Sequence, residues 1–115
     1  MRRRALDAYA STMALRDEAA VLPMSADADR ARMLGDVSAK LDRIGTEFDA
    51  LALEPSMHEA STEIEDVRLS LGNLRGALQA QVEAQGVDPA LLRERLTGLD
   101  AALERYRLRL SPPAQ

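Results

Sequence analysis

The chain has no cysteine and no tryptophan, one histidine, one lysine and only three aromatic side chains, Tyr9, Phe48 and Tyr106. Without cysteine there is no disulfide, no thiolate nucleophile and no cysteine-based zinc site. A single histidine, His58, excludes a multi-histidine metal site within one chain. Few aromatics leave leucine, alanine, valine, isoleucine and methionine to build the core, which suits helix-on-helix packing and suits a β-sandwich poorly. No apolar run approaches the ~20 residues of a membrane helix, so no membrane insertion is expected. Met1-Arg2-Arg3-Arg4 is basic enough to open a signal peptide. Asp7, Arg16, Asp17 and Glu18 interrupt the apolar stretch that would have to follow, so a cytoplasmic location is expected.

What is present is a soluble-protein composition in 115 residues, 46% apolar and 30% charged, enough for one domain over 1–115. The net charge of −4 is unevenly spread: residues 1–16 carry +3, 17–66 carry −9 and 67–115 carry +2. An acidic middle works against binding nucleic acid, which depends on neutralising phosphates. The asymmetry instead suits orientation, with basic ends drawn to the acidic middle of a neighbouring helix or subunit.

The strongest signal is a ladder of apolar residues stepping by three and four, three times over. Leu34, Val37, Leu41, Ile44, Phe48 and Leu51 form the first. Met57, Ala60, Ile64, Val67, Leu71, Leu74 and Leu78 form the second, and Leu92, Leu96, Leu99, Leu103, Tyr106 and Leu110 the third. Such steps average 3.5 residues, the period of a helix seam packed on another helix.

Punctuation divides the ladders. Pro23 ends a first helix over 3–22, and Ser25 or Asp27 caps a second over 26–53, which Pro55 stops. Ser56 and Glu59 have the spacing of a capping box, opening a third helix over 56–85. Gly86 suits a helix end, while Asp88 and Pro89 suit the cap and first position of a fourth helix over 89–110. Ser111-Pro112-Pro113 leads into a flexible tail, 111–115. Short connections make consecutive helices antiparallel, so the expected fold is all-α, an up-down bundle of four helices with coiled-coil-like seams. Helices two and three form its long central hairpin.

The helix faces differ. Ala31, Ser38, Gly45 and Ala52 flank the seam of helix two, and Ser70, Ala77 and Ala84, preceded by Glu63, flank that of helix three. Small residues every seven positions admit a neighbouring backbone closely. Helix four is flanked by Arg93, Arg95, Asp100, Arg107 and Arg109, which reads as an edge helix with a narrow seam. Leu92, Leu96, Leu99, Leu103, Tyr106 and Leu110 are therefore candidates for contacting a partner. An off-seam line on helix three, Leu69, Gly72 and Gly76, is a second candidate, because interior glycine costs about 1 kcal/mol against alanine. Helix one is the weak member: Leu6, Tyr9 and Met13 start a stripe that Arg16 interrupts, and a rival through Thr12, Leu15, Ala19 and Leu22 is thin. It is expected to be the least protected segment and a candidate to dock on another molecule.

Chemistry is thinly represented. Glu59 and Glu63 share a helix face near His58, but His58 has no partner at true ligand spacing. Glu63, Glu65 and Asp66 have no apolar surround to raise a pKa. There is no Glu-x-x-His pair for a diiron bundle, no nucleophile–base–orienter trio and no glycine-rich phosphate loop. The expectation is a non-enzymatic interaction module with no cofactor or metal, packing helix on helix as a homodimer or hetero-complex. The alternatives are a small acidic assembly factor shielding a partner's amphipathic helix, and an enzyme or sensor with a site at a subunit interface. In size, charge and helix count the chain is similar to the small helical chaperones of flagellar and type III export, which implies the first alternative.

Overall fold

A computed structural model describes residues 2–24, 27–83 and 88–110. Four helices carry the fold: α1 (Arg2–Ala20), α2 (Asp27–Ala52), α3 (Ser61–Glu83) and α4 (Pro89–Leu110). Their order in space follows from the ion pairs between them. Arg4 near the start of α1 meets Glu47 near the end of α2, while Glu18 at the end of α1 meets Lys40. Arg68 and Arg75 of α3 pair with Asp49 and Asp42 of α2, and Arg109 at the end of α4 with Glu63 at the start of α3. Every pairing runs antiparallel. α1 packs on α2 and α4, and α3 on α2 and α4, most extensively on α4. The result is the expected all-α bundle, closed into a ring.

All three ladders face inward. Phe48 and Tyr106 meet edge to face at 5.3 Å inside the core, toward the end of the bundle where α2 and α4 finish, the favoured geometry for aromatic quadrupoles. The Tyr106 hydroxyl donates to the Ala5 carbonyl at 2.8 Å, so the phenol is buried without leaving a polar atom unpaired. Burial raises its pKa above the usual tyrosine value, because the ionised form would lose its hydration.

The ring corrects two expectations. α4 is not an edge helix: Leu92, Leu96, Leu99, Leu103, Tyr106 and Leu110 are all at most 7% exposed, inside this chain's own core. Its charged flanks are the reason the sequence misleads. Asp100 accepts from Arg16 of α1 at 2.9 Å. Arg109 donates to the Glu59 carbonyl at 2.9 Å and reaches Glu63 at 3.2 Å. Arginine stems can line an apolar seam while their heads bind acids on the next helix.

α1 is likewise docked within the chain. Ala5, Ala8, Thr12, Leu15 and Ala19 face the core, and Leu22 continues the line into a 3₁₀ turn over Leu22–Met24. The buried stripe is the thin rival, with Tyr9 and Met13 packed at its margin. Alanine yields little apolar burial, so polar contacts assist. Besides Tyr106, these are Arg16–Asp100, Lys40–Glu18 at 2.6 Å and Arg4–Glu47 at 3.4 Å. The Asp100 hydrogen bond holds the Arg16 guanidinium pKa above its usual value.

The helix ends follow local chemistry. Asp88 caps α4 through Oδ1, which accepts from the backbone N–H of Ala90 at 3.0 Å and of Leu91 at 3.3 Å, with Pro89 in the first turn. The Asp88 backbone N–H also donates to the buried Gln81 side chain, tying α3 to the start of α4. The capping box at Ser56 does not form. A 3₁₀ segment, Pro55–Ala60, precedes α3, entered from an extended Glu54 with no side-chain cap. Pro55 supplies a preset φ one residue before Ser56, so Ser56 already lies inside the turn, where its hydroxyl is not at a cap position. Residues 25, 26, 84–87 and 111–115, with the expected Ser25 cap, Gly86 helix end and flexible tail, lie outside the described residues.

Candidate interaction face

α3 carries small residues on two sides. Glu63, Ser70 and Ala77 repeat every seven residues, and the Glu63–Arg109 pair fixes that line toward α4. Here the room is used: Ala77 is buried against the most extensive helix contact in the molecule. The other line runs through Leu69, Gly72 and Gly76 and points outward beside α2. Leu69 is 59% exposed, and a Cβ added at Gly72 or Gly76 would meet nothing within 4 Å.

The same holds across the gap on α2. Gly45 faces α3, yet nothing stands within 4 Å of a Cβ placed there. Gly35, one heptad before Asp42, is similarly open. The α2 flank expected to admit a close neighbour instead helps line an open groove of about 490 Å³ between α2 and α3. Leu41 and Leu71 reach its floor, and Gly45, Thr46, Leu69 and Gly72 its walls. Two ion pairs cross it, Asp42–Arg75 at 2.7 Å and Asp49–Arg68 at 2.8 Å. A hydrogen bond from Arg68 to Glu65 at 3.0 Å lies beside them. The charges of the groove are thus mostly matched within the chain, leaving a small-residue surface of low net charge with one protruding leucine.

A second groove, between α1 and α2, has a similar volume of about 520 Å³ but a different lining. Arg4, Asp7, Glu18, Lys40, Arg43 and Glu47 surround Ala8 and Ile44. Two ion pairs, Arg4–Glu47 and Lys40–Glu18, cross this groove as well, so its charges are also largely matched within the chain, but no large apolar side chain protrudes among its lining residues.

The residues singled out for chemistry are not assembled. His58 lies exposed in the 3₁₀ segment before α3. Among the described residues, no three acidic or histidine side chains are placed to hold a metal ion. Among the same residues, no helix is long and apolar enough to cross a membrane. No protein-family model matches the chain, and neither the curated proteins nor the solved structures contain a match.

Sequence reasoning found the Leu69–Gly72–Gly76 line but not its continuation on α2. In sequence Gly45 reads as a small residue for internal packing, and Gly35 carries no signal of its own. Gly45 itself lines the groove, and Gly35 shares heptad phase with Asp42 and Asp49, which line it too.

Proposed function

We propose that the chain is a non-enzymatic interaction module that binds a helix on the outward face of α2 and α3. The observation that carries this reading is the clustering on α2 and α3 of four glycines, Gly35, Gly45, Gly72 and Gly76, each with open space where a side chain would begin; Gly98 of α4 is open in the same way but stands alone on its helix. Interior glycine costs about 1 kcal/mol against alanine, so the set forfeits on the order of 3–4 kcal/mol of helix stability. The fold has no use for that room, since alanine would fit at every one of these positions. A helix laid against the face would use it, because glycine permits an axis-to-axis approach near the ~8 Å end of the packing range. The exposed Leu69 supplies an apolar anchor, and the matched charges spare a partner the cost of desolvating lone ions.

Substituting alanine at Gly72 and Gly76 tests the reading. Thermal and urea denaturation at low micromolar concentration should show stabilisation by up to about 1 kcal/mol per site, because these glycines do nothing for the isolated chain. Destabilisation by either change would assign the glycines to the fold and remove the argument for an external helix.

A further inference from the structure

α1 is fastened to the bundle differently from the other three helices. Among its described residues, Leu15 is the one large apolar side chain in the core, whereas α2, α3 and α4 each place five or more there. The rest of its inward face is Ala5, Ala8, Thr12 and Ala19, and Leu22 lies past its end in the 3₁₀ turn. An alanine methyl removes far less surface from water than a leucine side chain, so α1 gains little from its own burial. The Thr12 hydroxyl donates to the Ala8 carbonyl at 2.7 Å, within α1, and ties it to no other helix. Open grooves run along both margins. One of about 520 Å³ brings Ala8 and Ser11 beside Ile44 of α2, and one of about 330 Å³ brings Ala20 beside Leu92 and Leu96 of α4.

We infer that α1 is a releasable cover: it opens as one unit from a remaining bundle of α2, α3 and α4, and bares the seam that includes Ile44, Leu92, Leu96 and Tyr106. The inference goes beyond the face between α2 and α3 and does not depend on it. Polar ties at the two ends of α1 hold the closed state. At its start Tyr106 donates to the Ala5 carbonyl, and Arg4 pairs with Glu47. At its end Arg16 grips Asp100 through Nε at 2.9 Å and Nη2 at 3.0 Å, and Glu18 pairs with Lys40. The three ion pairs are partly exposed, and each contributes little in water. α3 packs on α2 and α4 through large apolar side chains, and release of α1 leaves those contacts in place. A 19-residue helix stripped of its packing is marginal in water, so α1 unfolds as it leaves. Ala5–Tyr106 and Arg16–Asp100 then set how often the seam is bared.

Native-state hydrogen exchange of the full chain, from no urea to low urea, tests this. The amides of residues 8–19 should share one protection factor, at least about tenfold below that of the slowest α3 amides. Their urea dependence should be the weaker one, because release exposes only part of the surface. Two substitutions acting at opposite ends of α1 distinguish release from fraying. Tyr106→Phe should lower protection across all of 8–19 by about fivefold, the loss of one hydrogen bond. Arg16→Ala should lower it across the same stretch by up to about fivefold. Leu71→Ala, at the floor of the groove between α2 and α3, should lower protection of the slowest α3 amides by about thirtyfold or more and leave 8–19 unchanged. Protection in α1 that equals that in α3 and falls with it in Leu71→Ala would overturn the inference, because α1 would then open only with the whole chain. A loss of protection confined to the end of α1 next to each substituted contact would overturn it too.

Discussion

The two small-residue lines of α3 teach different things about the same signal. Toward α4, the line through Ser70 reaches Ala77, whose surroundings the chain itself fills. Toward the outside, Gly72 and Gly76 leave space that the chain never fills. In sequence the lines look alike, small residues at helical spacing. Only the neighbour distinguishes structural economy from a surface kept open.

Substitutions can widen or erase this contrast. The largest effect is expected on the filled side: Leu99→Ala, fully buried on α4, should cost about 2–5 kcal/mol in urea denaturation, the usual range for emptying a core leucine site. Next, Ala77→Leu should cost about 1–3 kcal/mol, because a larger side chain has to force α3 and α4 apart. The same leucine at Gly76 should leave stability unchanged or raised. Equal losses at 77 and 76 would abolish the distinction between the two lines.

Tyr106→Phe should cost about 1 kcal/mol at neutral pH through loss of the hydrogen bond to Ala5. It also carries a pH signature. Burial raises the phenol pKa in the folded chain above its unfolded value near 10, so the folded state favours the neutral form. That contribution is complete below about pH 10 and is lost as pH climbs toward the folded pKa. The wild type should therefore destabilise on the alkaline side, and Tyr106→Phe should flatten that decline. A smaller effect, under about 0.5 kcal/mol, is expected from Arg75→Ala, since exposed ion pairs contribute little. A loss above 1 kcal/mol there would make the groove-crossing pairs structural.

The fold was legible wherever the core is made of large aliphatic residues. The ladders of α2, α3 and α4 announce their own faces, and Asp88-Pro89 announces the start of α4, because cap chemistry is local. α1 was harder to read, since its core face is Ala5, Ala8, Thr12 and Ala19, and hydrophobic periodicity barely registers alanine. Its true partners, Asp100 and Tyr106, lie more than eighty residues away in sequence. The edge reading of α4 failed for a related reason: Arg109 and Asp100 look solvated until Glu63 and Arg16 are seen beside them. The unequal charge along the chain did anticipate part of this, with Arg4, Arg68, Arg75, Arg105 and Arg109 meeting acids of the middle segment across helices. For the interaction face, Leu69, Gly72 and Gly76 stood out because glycine inside a helix is costly. What sequence could not supply was whether the space above them was already taken.

Urea denaturation of Gly72→Ala and Gly76→Ala beside Ala77→Leu gives the most direct test of the open face. The account predicts a raised midpoint for both alanine variants, which fill space the chain leaves empty, and a lowered one for Ala77→Leu, which crowds a buried site. A lowered midpoint for either alanine variant would contradict it.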